Sequence, residues 1–463
     1  MSTVIYGGED GLSCIKPVEY YFTANVLVNE GVLQAKCRVK LSNLGAEPEN
    51  TVQILLNRGL KASSVEQSGR RVIFTQRLCK FPDLKEIEVN LIEIHFERPL
   101  KPGDTTWITL AYEGEVEGYE EVFTYARDKI DENFSLIRTD VFSYPVVGAP
   151  EFKKLVSLLP SQRFNYRLEI TVPEGFKVAN IGRLLGYRRK KDMVTYIYVS
   201  KLPSWRMDIA VARFKLLFDK EEDLRVFALE EDYVHAERIM HELKRCLAFY
   251  REWFGEPVFW AGYTVVEIPE GWGGQADVCG MLLDSRCFRD ENEVGGLYHE
   301  LAHLWNVPSG EKIPSRFLDE GFASYFQLLA ERKFLGEEKF REKMKFSRRR
   351  IIQMAEKNPI LLEIPVASYG EYMVTDASYF VGAWILYILH RIVGDEYFKK
   401  AIKRFLKHYS RKPATLGDFK ETIVEVCGTR IEKFLDEWLF GNKAVTYLKK
   451  RVPLEHLLSA YKP

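Results

Sequence analysis

The stretch "GGLYHELAHLWN", residues 295–306, sets two histidines four apart with a glutamate directly after the first. On an α-helix that spacing puts both rings on one face, a turn apart, so His299 and His303 can aim a nitrogen each at a single point. Glu300 falls about 100° further round, beside that point rather than on it. Two imidazoles are half of a tetrahedral zinc site, and a carboxylate beside them is placed to take a proton from a water. The plainer alternative is a packed helix that carries two histidines on one side.

A catalytic zinc needs a third protein ligand and one position left for water. "SRFLDEGFASYF" (315–326) offers Glu320 at the head of a second apolar helix, which Phe317, Leu318, Phe322 and Phe326 would bury. Taken alone, Asp319 and Glu320 read equally well as acids favouring a helix N-terminus. Taken with the histidines, Glu320 is the missing carboxylate, and a cation would offset the cost of burying it. Tyr379, in the apolar helix "ASYFVGAWILYILHRIVG" (377–394), reads from the residues alone as a core residue.

The elements that must position these residues follow from hydrophobic periodicity. "LQAKCRVKL" (33–41) alternates apolar and polar residues with period two, the pattern of a half-buried strand. Strand-like runs recur at 72–79, 86–96, 105–114, 163–173 and 192–200, punctuated by Gly, Pro, Asn and Asp as in antiparallel sheets. Near 218 the texture changes. "DYVHAERIMHELKRCLAFYREWFG" (232–255) has helical spacing and stops at glycine, "YTVVEI" (263–268) is a short strand, and helices are expected at 293–306, 319–335, 337–357, 377–394, 396–409, 416–427 and 431–440. Strands first and helices after make an α+β multidomain chain, with an antiparallel β-sheet domain over 1–217 and an α-rich domain over 218–463.

Composition bounds the function classes. Sixty-six basic and 66 acidic side chains cancel, which gives no support to a nucleic-acid or membrane-surface role. The opening "MSTVIYGGEDGLSC" lacks a charged-then-apolar leader pattern, and the apolar run at 380–389 is too short to span a bilayer. Seven scattered cysteines, an odd number, suit a reduced cytoplasm better than a disulfide framework.

The site residues resemble those of the zinc aminopeptidases typified by aminopeptidase N, which are gluzincins. The family's His-Glu-Leu-Ala-His is similar to residues 299–303, and its Leu-Asn-Glu-Gly-Phe-Ala-Ser-Tyr to "LDEGFASY" (318–325), which implies Glu320 as third ligand of one zinc per chain. "SYFVGAWIL" (378–386) resembles the family's Pro-Tyr-Glu-Lys-Gly segment and implies Tyr379 as the catalytic tyrosine. "FYREWFGEPVFWAGYTVVEIPE" (249–270) and the stretch 415–441 resemble other parts of its thermolysin-like catalytic domain. The first half is compatible with the family through "TDVFSYPVVGAP" (139–150).

The resemblance implies hydrolysis of peptides, with Glu300 as general base, and the sequence departs from it in three places. Sixteen residues separate His303 from Glu320, a slightly shorter loop than the family's. The Gly-Ala-Met-Glu-Asn stretch that grips a substrate's amino group is replaced by "GGQADVCGMLL" (273–283), which leaves Gly274, Gln275 and Asp277 as the candidate substrate edge. The large C-terminal helical domain of many members has no counterpart, so a short form with a more open cleft is expected. An endopeptidase on the same scaffold is the nearest rival to an aminopeptidase, and a non-catalytic assembly subunit is a further one. The donor set would also accept cobalt or manganese. Oligomeric state is not legible.

Overall fold

The computed structural model describes residues 14–461, so most of the opening stretch read for a leader lies outside the described residues. The chain forms two compact units. One takes the chain up to Ala236 and then Ala261–Ser285; the other takes Glu237–Trp260 and everything from Arg286.

The alternating strand is present as Val32–Asn43, with Leu33, Ala35, Cys37, Val39 and Leu41 inward and Gln34, Lys36 and Arg38 exposed. It lies inside an eight-stranded sheet between Ile15–Leu27 and Thr105–Glu115, both antiparallel to it. A four-stranded sheet built on Glu49–Asn57 and Leu84–Leu100 supplies more of the same apolar core. One pairing departs from the antiparallel expectation. Ile15–Leu27 runs parallel to Asn165–Pro173, a partner whose distance in sequence hides it from local pattern.

A five-stranded mixed sheet completes the first unit. Its strands are β1 (Phe214–Asp219), β2 (Leu224–Leu229), β3 (Tyr263–Ile268), β4 (Gln275–Asp277) and β5 (Gly280–Asp284), in the spatial order β1-β2-β3-β5-β4. This moves the expected break at 217/218. Parallel pairing of β2 with β3 and of β3 with β5 returns residues 261–285 to the first unit. The apolar faces of β1, β2, β3 and β5 also share a core with Phe134, Leu136, Ala179, Ala210 and Ala212.

The second unit is helical. Helix α1 (Ala236–Phe254) buries Ile239, Leu243, Cys246, Leu247 and Tyr250 at three- and four-residue intervals and ends before Gly255, whose φ of 89° serves as a left-handed stop. Helix α2 (Gly295–Ala302) tightens into a 3₁₀ turn at His303–Trp305, so the expected helix 293–306 is regular only in its middle. A π-helical turn, Phe317–Gly321, leads into α3 (Phe322–Leu335). Helix α4 (Ala377–Tyr409) runs 33 residues but breaks at Gly394, φ 80°, as the separate readings 377–394 and 396–409 require. It is long and apolar enough to cross a membrane, yet 67% of its apolar window is buried inside the protein, which marks a core helix.

Candidate active site

Packing fixes the two ligand-bearing helices against each other. Helix α1 braces α2: Tyr250 donates its hydroxyl to the Tyr298 carbonyl at 2.9 Å, and the Tyr298 hydroxyl donates to Glu242. The Trp305 indole donates to the Gly255 carbonyl at 2.9 Å, which holds the 3₁₀ turn that carries His303. Phe254 and Phe326 stack at 3.8 Å and tie α3 to α1. The π-turn before α3 packs on α4 through two glycines. A Cβ on Gly382 would come within 2.7 Å of the Gly321 Cα, so only hydrogen fits there.

These contacts bring His299, His303 and Glu320 together, with one ligand atom from each within 4.8 Å of the others. Glu320 Oε2 stands 3.0 Å from His299 Nε2 and 3.7 Å from His303 Nε2. Donors at zinc distances of about 2.1 Å in a tetrahedron stand about 3.4 Å apart, so the observed spacings bracket what one zinc ion needs. Burial opposes ionisation of Glu320, but Arg316, His303 and His299 outweigh it and hold its carboxyl well below the usual carboxylate range. An anionic oxygen and two imidazole nitrogens at these spacings fit a divalent cation of zinc's preferences.

The other expected residues divide by place. The Tyr379 ring lies parallel to His299, 5.7 Å between centroids and 11° between planes, so α4 does deliver it to the cluster. Burial, and then the charge of Glu320, push its hydroxyl pKa well up, which keeps it a proton donor. Glu300 is buried on the same helix as the two histidines. Gly274, Gln275 and Asp277 belong to the first unit. Gly274 is exposed, immediately before strand β4. Asp277 Oδ1 accepts from Arg163 at 3.2 Å and from the Val278 amide at 2.8 Å, while Oδ2 accepts from the Ser204 hydroxyl. Gln275 bridges Arg206 and Asp140, part of a buried network with Arg138, Asp128 and Asp208. Both candidate anchor side chains are thus engaged inside their own unit.

Two residues at the cluster escaped the sequence reading. The Asn306 side-chain amide pairs with His303 Nδ1 at 2.8 Å and orients that ring with Nε2 toward the cluster. Its place one turn after His303 was the available signal. Arg316 bonds the second oxygen of Glu320, and its signal was a basic residue four before a buried acid.

A two-histidine, one-glutamate cluster, with the glutamate at the head of the following helix and an acid beside the first histidine, is the donor set that the gluzincin resemblance implies. Residues 238–438 match the model of the Peptidase family M1 domain. Aminopeptidase M1-D of Oryza sativa subsp. japonica is 27% identical over 211 residues, which span 42% of this chain and 24% of the rice protein. The leucyl aminopeptidase of Saccharolobus solfataricus is 22% identical over 322 residues, 64% of this chain and 41% of its own. The chain therefore spans less than half the length of the curated relatives it matches. The crystal structure of an M1 zinc metallopeptidase from Deinococcus radiodurans superposes with a TM-score of 0.67 at 19% identity, covering 92% of this chain and 94% of that one. That likeness gives the fold: a β-rich N-terminal part followed by a helical part.

Proposed function

We propose that this chain is a zinc-dependent peptidase that releases N-terminal residues from peptides. The observation that carries the reading is the convergence of His299, His303 and Glu320 within 4.8 Å. His299, His303 and Glu320 would hold the zinc, which when bound would supply Lewis acidity to polarise a peptide carbonyl and lower the pKa of a water to about 7. Glu300 takes the proton of that water on its carboxylate as the carbonyl carbon is attacked, and returns it to the departing amine. The Tyr379 hydroxyl donates to the oxyanion of the tetrahedral adduct. Asn306 holds the His303 ring, and the braces from α1 hold the helix beneath both histidines.

Two observations bear on where in a peptide the cut falls. The matched relatives named above are aminopeptidases, which supports cleavage at a free amino end. The partners already on both Asp277 oxygens favour the second reading, an endopeptidase. Paired peptides of one sequence, one free and one acetylated at its N-terminus, separate them. An aminopeptidase cuts the free form at least tenfold faster, an endopeptidase cuts both alike, and no cleavage of either by zinc-loaded protein sinks the hydrolase reading. Peptides are the proposed partners, and an odd number of scattered cysteines, seven in all, supports a cytoplasmic place of action.

A further inference from the structure

Arg316 stands apart from the residues assigned so far. Its backbone is left-handed, φ 64° and ψ 17°, a conformation that is uncommon for a side chain larger than glycine and is held at a cost. From that position its carbonyl accepts from the amides of Glu320 at 3.0 Å and Gly321 at 3.2 Å, which opens the π-turn. Its guanidinium returns over the same turn, donates to Glu320 Oε1, and lies 3.3 Å from Asp319 Oδ2. It also stands 6.0 Å from the centre of the Tyr379 ring. The two oxygens of Glu320 are therefore divided: Oε2 faces both imidazoles and Oε1 is tied to Arg316.

We infer that Arg316 is a positioning residue that makes Glu320 a one-oxygen ligand and so keeps the fourth coordination position of the metal open. A carboxylate free to turn would offer both oxygens to a cation and fill the place a catalytic site needs for water. The guanidinium occupies Oε1 with a charge-assisted bond whose planar geometry a lysine reproduces only in part. The left-handed backbone aims the short return path from residue 316 to residue 320. The inference rests on the zinc reading above, and the experiment separates the two.

R316G keeps a backbone that accepts the left-handed conformation while removing the side chain, and R316K keeps the charge. Zinc dissociation constants are measured by chelator competition, and visible spectra are recorded on the cobalt-substituted proteins. The wild type should bind zinc tightly and show the intense cobalt bands of four-coordination. R316G should bind zinc about 10- to 100-fold more weakly and show weaker bands as coordination number rises, with R316K in between. Should R316G fail to fold, R316K alone must show a shift in both readouts. Wild-type affinity and spectrum in the folded variants overturn the role of Arg316 and leave the metal site standing; a wild type that binds no zinc overturns both.

Discussion

Single side chains divide the labour of the cluster, and substitution separates their parts. Glu300→Ala removes the proposed proton carrier and leaves His299, His303 and Glu320 in place. The protein is expected to retain one zinc per chain while kcat falls by about 10²- to 10⁴-fold, as metal analysis and peptide turnover on one sample would read. Unchanged turnover would remove Glu300 from the mechanism. Tyr379→Phe keeps the ring beside His299 and deletes the hydroxyl, so kcat should fall by about 10²- to 10³-fold with KM nearly constant. An equal change in KM would make Tyr379 a substrate contact instead. His299, His303 and Glu320 were legible because helical spacing alone makes the two histidines converge and a third donor is chemically required. Arg316 and Asn306 were not, since their roles depend on the 3₁₀ and π-turns, which hydrophobic periodicity does not encode. The partners of Asp277 were out of reach for a different reason: Arg163 and Ser204 stand 114 and 73 residues away in sequence, and only the tertiary fold brings them to it.

At the scale of elements, α2 and α3 meet at a second place besides the ligands. Glu331 of α3 is fully buried against Gly295, the first residue of α2, and leaves no room there for a Cβ. Its Oε1 accepts from Gln327 at 2.9 Å, while its Oε2 has no hydrogen-bond partner among the described residues. Burial pushes this carboxyl up, more strongly than Lys343 and Gln327 pull it down. A folded pKa above the unfolded one means that the proton's contribution to stability is present at acid pH and fades as pH rises through the folded value. Glu331→Gln stays neutral throughout. It should match the wild type near pH 4 and exceed it by about 1–3 kcal/mol at pH 8, as denaturant melts at the two pH values would show. A constant difference would mean that Glu331 does not titrate in this range. The elements themselves were largely legible. Residues 33–41 follow their period-two pattern, and Gly394 breaks α4 between the two expected helices, 377–394 and 396–409. The parallel pairs of β2, β3 and β5 were not legible, because buried strands on both sides of a helix carry no local mark of their partners.

The whole molecule inherits its organisation from that sheet. A piece beginning at residue 218 cuts β1 and strips Phe227, Leu229, Val266, Ile268, Trp272 and Leu282 of their core partners Phe134, Leu136, Ala210 and Phe214. Residues 218–463 expressed alone are therefore expected to aggregate, or to lack a cooperative melt. A monomeric peak on size exclusion with near-ultraviolet dichroism of packed aromatic rings would refute this. The change of texture near 218 was real in the sequence, but the unit it announces starts later, because the chain changes units at 236/237, 260/261 and 285/286. That itinerary sets an order of events on the ribosome. The first unit has all its residues once 285 emerges, whereas α1 emerges early and must wait for Tyr298, Trp305 and Phe326 before its apolar stripe is covered. For that interval the nascent chain displays a greasy, unpaired helix, the kind of segment that a ribosome-associated chaperone shelters.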